Sequence, residues 1–350
     1  MSSCRVVAEI HKSAVDLAIT GETSSLGELP KRIVDETTSF DLGSITKILA
    51  TTSIIMKLVE SKQLSVEDKV SKFLDAWNTD EKRDIQIQHL LSHNSGLEPW
   101  RPFYISCSNP EEVHQKIAEL PLISSIGTKF RYSDLGFMTL GRIVEVVCSS
   151  RIDESFYSII ATPMGLDGTR YSSPRDLNNV AATSIGDEIE KHMVDSQFPY
   201  AVPEKSVDFS GWRTHILSGE INDGNSFHCF GGVAGHSGLF STTRDLITYT
   251  QTLLSSFQGD GFFSEKVMNE FFSATSEPSQ GLGFKRWVVS ASKAAYGHFG
   301  FPGTALVCEG TTGEALIFLT NRLHTRSSYE MMDQIWAGDY EIFKSRVNRA

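Results

Sequence analysis

Long apolar runs are missing from this chain: nowhere do about eighteen apolar residues follow one another, so no transmembrane helix is predicted. The first residues, Met1-Ser2-Ser3-Cys4-Arg5, lead into nothing that resembles a signal-peptide core, and a cytoplasmic protein is expected. Positive charge is also short, with 32 Lys and Arg against 43 Asp and Glu and a formal net charge of −11. That balance argues against a nucleic-acid partner, which needs a basic stripe, and against electrostatic attachment to an anionic membrane. Cysteine is sparse, and the five present (Cys4, Cys107, Cys148, Cys229, Cys308) are scattered with no C-x-x-C pair. They are read as reduced thiols rather than a disulfide frame or a metal knot. His89 and His93 have the spacing of a zinc pair, but no Glu stands between them where a zincin needs one and no third ligand is evident. They are read as structural histidines bonded to nearby backbone, and no metal is expected. Gly281-Leu282-Gly283 lacks a third glycine and a helical context, so no dinucleotide cofactor is expected either.

What remains is a globular composition, 40% hydrophobic and 21% charged over 350 residues, enough for one to three domains. Residues 5–20 read as one or two short strands. Glu111–Leu120, Leu135–Cys148 and Ile152–Ile160 read as helices. From about 172 to 230 the periodicity fades, and a stretch of that length is expected to shape a cleft. A helix over Thr242–Ser255, strands over 282–290, 294–300, 304–309 and 314–320, and a final helix over Ser328–Lys344 complete the pattern. Strands at both ends and helices between them predict an α/β domain (1–70 plus 241–350) carrying an inserted, mainly helical domain (71–240), with the active site between them.

One short segment carries chemistry. A helical pattern begins at Ser44-Ile45-Thr46-Lys47, with apolar or methyl-bearing residues at Ile45, Ile48, Leu49, Thr52, Ile55, Met56 and Val59. Residues three apart on a helix are neighbours, so the Lys47 amine can reach the Ser44 hydroxyl. The first turn also offers unpaired N–H groups to developing negative charge. Alone, such a spacing is more often a capped helix with a solvated lysine. Three further segments change that reading: Phe130-Arg131-Tyr132-Ser133-Asp134, Tyr296-Gly297-His298-Phe299-Gly300-Phe301-Pro302-Gly303, and Gly231-Gly232-Val233-Ala234-Gly235-His236-Ser237-Gly238. The last of these nearly spells a G-x-S-x-G nucleophile elbow, but residue 239 is Leu. It is read as a tight turn lining the cleft, where His236 is placed to contact substrate. Arg213, Asp223 and Asn225 are read as solvated loop side chains, with substrate contact the other option.

In their combination and order along the chain the segments resemble the serine β-lactamase and penicillin-binding-protein superfamily, and most closely its branch of class C β-lactamases, D-amino-acid peptidases and esterases. The resemblance implies a β-lactamase-like fold, an antiparallel sheet flanked by helices with a mainly helical insertion. It implies Ser44 as nucleophile, Lys47 and Tyr132 as the groups that move its proton, and His298 on the strand that holds substrate. The backbone N–H groups of Ser44 and Phe301 would form the oxyanion hole, beside Gly300; losing one such donor costs about 10²–10³ in rate. Two departures stand out. Asp134 replaces the usual amide; it can only accept hydrogen bonds, and it favours a charged Lys47, pushing the base role toward Tyr132. Nearby cations are then expected to lower the Tyr132 pKa. His298 replaces the usual lysine, and its charge is expected to change near neutral pH.

These readings lead to a metal-free, cofactor-free serine hydrolase acting on a small-molecule ester, amide or peptide substrate. Peptidoglycan-derived peptides or muropeptides are the expected class, with weak β-lactamase activity at most. The alternative is a penicillin-binding or sensor protein on the same fold that deacylates slowly. The N-terminus lacks the long helix that precedes the first strand elsewhere in the family, which would leave apolar surface open and favour a homodimer.

Overall fold

Two apolar-rich segments of eight residues each, separated by Lys12 in a left-handed conformation, fold back as a hairpin of β1 (Cys4–His11) and β2 (Ala14–Gly21). The computed structural model describes residues 2–27, 29–259, 261–325 and 330–350. Three short strands, β3 (Ser39–Asp41), β4 (Arg170–Tyr171) and β5 (Leu239–Thr242), form a small antiparallel sheet with β5 at its centre. Near the other end of the chain lie β6 (Lys285–Val288), β7 (Ala294–Gly300), β8 (Thr304–Glu309) and β9 (Glu314–Thr320). They join the first hairpin in an antiparallel sheet of order β2-β1-β9-β8-β7-β6. Among the described residues, none between β2 and β6 adds a strand to this sheet. This is the α/β architecture expected, an antiparallel sheet flanked by helices.

Alternation along the strands sends side chains to two different cores. Val6, Ala8, Ile10, Leu306, Ile317 and Leu319 join the main core, which includes Leu246, Tyr249 and Leu253 of the helix Thr243–Phe257. Val7, Ala305, Val307, Leu316 and Phe318 face the other way, against Trp336, Phe343 and Val347 of the C-terminal segment. No helix of the described residues is long and apolar enough to cross a membrane.

Two parts of the expected pattern differ. The final helix is broken into Met332–Ile335 and Ala337–Arg349, and residues 328–329 of the expected span lie outside the described residues. The faded stretch 172–230 contains two α-helices, Glu188–Ser196 and Gly224–Phe230, and a 3-10 turn at Ser206–Asp208. The first buries only Val194, too little to leave an apolar period in the sequence. Arg213 and Asn225 are not solvated there. Arg213 is buried against Asp187 at 2.6 Å, and Asn225 bridges Phe103 N and Arg101 O, both at 2.8 Å.

Candidate active site

The segment after β3 bends sharply before it coils. Asp41 is buried and accepts hydrogen bonds from Gly43 N (2.8 Å) and Asn222 N (2.7 Å). Burial pushes its pKa up to about 6, opposed by those two bonds. Gly43 sits at φ +50°, and a Cβ there would lie 2.6 Å from Pro302 Cδ, so glycine is required twice over. The expected helix then starts as a tight 3-10 turn, Gly43–Ile45, widens to π geometry over Lys47–Thr52, and becomes α1 at Ser53–Glu60. Such widening is frequent at functional sites.

Ser44 is part-exposed at the mouth of this turn, while the Lys47 side chain is 0% exposed beneath it. Lys47 Nζ lies 2.8 Å from Ser44 Oγ, 3.0 Å from the His236 carbonyl and 2.7 Å from Asp134 Oδ1. The first two are hydrogen bonds and the third is an ion pair, so the ammonium group meets two acceptors and one opposite charge.

Tyr132 and Asp134 are delivered by the start of a long helix, Asp134–Cys148. Its cap is Ser133, whose hydroxyl accepts from Gly136 N and donates to Glu98 O at 2.6 Å. His93 fixes the approach to that helix. It adopts φ +56°, its Nδ1 accepts from Ser133 N at 3.1 Å, and its ring lies 4.6 Å from that of Tyr132. His89 Nδ1 likewise accepts from Gln86 N at 3.0 Å, so both histidines bond to backbone as expected. Burial, with His298 and Lys47 adding to it, holds His93 well below the usual imidazole range, so it is neutral. The expectation for Tyr132 fails. Burial and then Asp134 drive its phenol well above 10, and hydrogen bonding with Ser44 only opposes this. Tyr132 is a neutral phenol because burial disfavours the phenolate and Asp134 disfavours it further.

His298, on β7, lies with its ring 5.7 Å from that of Tyr132. Its Nδ1 is 2.7 Å from Phe299 O, which can only accept, so the proton sits on Nδ1 and Nε2 is left as an acceptor. Burial, with Lys47 next, pulls its pKa down to about 3. The expected charge change near neutral pH is therefore overturned, since the imidazole is uncharged throughout that range. Gly300 runs so close to the nucleophile turn that a Cβ would collide with Thr304 Oγ1 and the Leu42 carbonyl. This contact brings Phe301 N to within 3.2 Å of where a Cβ on Gly43 would stand. The Phe301 side chain, 39% exposed, lies at the surface.

The structure thus brings Ser44, Lys47, Tyr132, Asp134 and His298 together, with Gly300 and Phe301 alongside. It does not present the His236 ring to substrate. That ring is 1% exposed, and its Nε2 is 3.0 Å from Asp223 Oδ1. The residue meets the site through its carbonyl instead. Asp223 is desolvated, which would raise its pKa, yet the adjacent His236 holds it below the usual range.

Tyr200 was not singled out by the sequence. Its phenol is pushed up to about 12 by burial, then by Asp134 and Tyr132, which places it beside the same groups. Its only signal was its place in the long irregular stretch. Elsewhere among the described residues, Glu9, His11 and Asp16 bring donor atoms together in a way that could hold a metal ion. Arg346 already bonds Glu9 at 2.7 Å and also reaches His11, while Glu314 takes the other His11 nitrogen.

Known proteins resemble this chain along most of its length. A family model described as beta-lactamase matches residues 20–338. The chain is 29% identical over 348 residues to the N-acetylmuramyl-L-alanine amidase of Bacillus subtilis (strain 168), covering 90% of this chain and 75% of that protein. The octameric penicillin-binding protein homologue from Pyrococcus abyssi is similar in fold, with a TM-score of 0.72 at 20% identity, over 97% of this chain and 74% of that one. A class C beta-lactamase from Rhodobacter sphaeroides gives a TM-score of 0.71 at 16% identity, over 100% of this chain and 95% of that one.

Proposed function

The chain is a serine hydrolase of the beta-lactamase family, and on that footing we propose that it opens an ester or amide bond through an acyl-enzyme on Ser44. The observation that carries this reading is the placement of Lys47 Nζ, 2.8 Å from the Ser44 hydroxyl and 2.7 Å from Asp134. As Ser44 Oγ attacks the carbonyl carbon, its proton passes to Nζ while Nζ releases one to Asp134. The carbonyl oxygen takes the negative charge and is met by the N–H groups of Ser44 and Phe301. Tyr132, a neutral phenol, serves as proton donor to the leaving group rather than as resting base. Water then replaces the leaving group, the same transfers run in reverse, and Ser44 is regenerated. The substrate lies in the cleft between the sheet portion (1–70 plus 241–350) and the inserted portion (71–240).

A peptidoglycan-derived peptide or muropeptide is the proposed substrate class, supported by the name of the Bacillus relative. Five unpaired cysteines support the cytoplasm as the compartment. The test is incubation with p-nitrophenyl acetate and with a fluorophosphonate probe. A burst, and a label that Ser44→Ala abolishes, is the expected result; neither burst nor Ser44-dependent label would overturn the reading. One observation favours slow turnover as a second reading, because Lys47 is held by Asp134 and Tyr132 is a neutral phenol. A stoichiometric burst followed by no steady state would select it.

A further inference from the structure

We propose that this chain carries a second ligand site, distinct from the catalytic cleft, which takes a small carboxylate with an apolar body. The site is a cavity of about 400 Å³ between the helix Asp134–Cys148 and the turn that leads to His236. Ser44, Lys47, Tyr132, Asp134 and His298 are not among the residues that line it. Small-molecule sites typically enclose about 300–1,000 Å³, with apolar walls and a few polar groups that fix orientation.

One stripe of the helix faces this cavity. Met138, Gly141, Arg142 and Glu145 line it, and their spacing of three and four residues sets them side by side. Opposite them the chain from Val233 to Gly235 forms the other wall. The two elements touch at their glycines, since a Cβ on Gly141 would stand 3.0 Å from the Gly235 backbone. Met138, Ile152, Phe230 and Val233 are buried and apolar, which suits a ring or branched chain withdrawn from water. Both walls also reach the nucleophile. The helix begins at Asp134, and the turn continues into the His236 carbonyl, each of which meets Lys47. An occupant therefore bridges the two elements that supply Lys47 with partners.

The polar groups of the cavity select the sign of the ligand. Arg142 meets Glu111 and Glu145 at 3.4 Å each, through one oxygen apiece. Pairs that long and that exposed contribute little, and they leave most of its five N–H donors unused. A ligand carboxylate can take that fork through both oxygens at about 2.7–2.9 Å, a far stronger arrangement. Arg151, held at 3.1 Å by Asp153, adds a second guanidinium to the lining. Of the two lining carboxylates, Glu111 is 79% exposed to water and Glu145 is turned to Arg142 and the Ile152 N–H. Asn109 and Pro110 bring the positive end of the helix Pro110–Glu119 to the same cavity, which also favours an anion. His114 completes the lining. Its ring stands edge-on to Phe230 at 5.6 Å and makes no hydrogen bond among the described residues. Burial, then Arg142, pulls its pKa down to about 3, so it offers one N–H and one lone pair without charge.

The test is calorimetric titration of the full chain with 4-phenylbutyrate, with 4-phenylbutanol and with acetate. Phenylbutyrate should bind one equivalent with a Kd of about 1 mM or tighter, in keeping with a ligand of its size. The alcohol lacks the charge and acetate lacks the apolar body, so each should bind at least tenfold more weakly. Arg142→Gln should weaken phenylbutyrate at least fivefold and leave the alcohol within about twofold, the alcohol serving as the check that the cavity is still folded. The comparison of acid with alcohol on unaltered protein requires no variant to fold. Equal affinity for acid and alcohol, or no binding of the acid up to about 10 mM, would overturn the inference. So would an affinity for the acid that Arg142→Gln leaves unchanged, because the molecule would then be held elsewhere, as in the catalytic cleft. None of these outcomes depends on Ser44 being reactive, so the serine-hydrolase reading stands or falls separately.

Discussion

Lys47 is buried, donates to Ser44 and the His236 carbonyl and pairs with Asp134, so its removal should be felt by all three. Lys47→Ala is expected to lower kcat/KM for p-nitrophenyl acetate by about 10²–10⁴, the usual worth of a positioned proton-transfer group. A second buried group can be read through stability. Glu190 accepts from Gly224 N at 2.8 Å, and burial, then Asp223, pushes its pKa up to about 8. Between its ordinary value of about 4.3 and 8 the unfolded chain has released this proton while the folded chain keeps it, so stability falls as pH rises through that window. Glu190→Gln has no such proton to lose. The difference in Tm, variant minus parent, should therefore grow by a few degrees from pH 5 to pH 8; a flat difference in thermal melts would refute this. At this scale the sequence revealed where Ser44, Lys47, Tyr132 and His298 would meet, because their spacing and order carry the pattern. It did not reveal their charge states. Those depend first on how deeply each group is buried, and then on groups that folding brings beside it from far along the chain, such as Lys47 beside His298.

Among elements, the long helix α2 (Asp134–Cys148) and the turn holding His236 meet at two glycines. Gly141 faces Gly235, and a Cβ on Gly235 would lie 2.8 Å from Gly141 Cα and would strike the Phe137 carbonyl. Gly235→Ala is expected to cost about 1–3 kcal/mol by overpacking, measured by urea denaturation. It should also slow fluorophosphonate labelling of Ser44, because the adjacent carbonyls of Gly235 and His236 bind Thr51 and Lys47. Gly300→Ala should push β7 away from Leu42 and lower kcat by about 10²-fold, the worth of one oxyanion donor, with a smaller change in KM. Strands β7 to β9 were legible because their apolar runs are bounded by turns. The helix Glu188–Ser196 was not, since most of its surface is wet. Nor was the widening over Lys47–Thr52, because apolar spacing fixes which face is buried but not how tightly the backbone winds.

For the whole molecule, we propose a homodimer. Strand β2 lies at an edge of the large sheet with most of its residues outward, Leu17 among them, and an uncovered edge is a template for pairing. Light scattering should give twice the mass of one chain, and a mass of one chain would refute this. The order of the large sheet also bears on how the protein is made. β1 is completed only when β9, far later in the chain, settles beside it. A nascent chain on the ribosome carries Ser44, Lys47 and Tyr132 well before it carries the strand that ends at Gly300. A product halted before β7 is thus an unarmed nucleophile, and reactivity toward a serine probe becomes a marker of synthesis carried past β7.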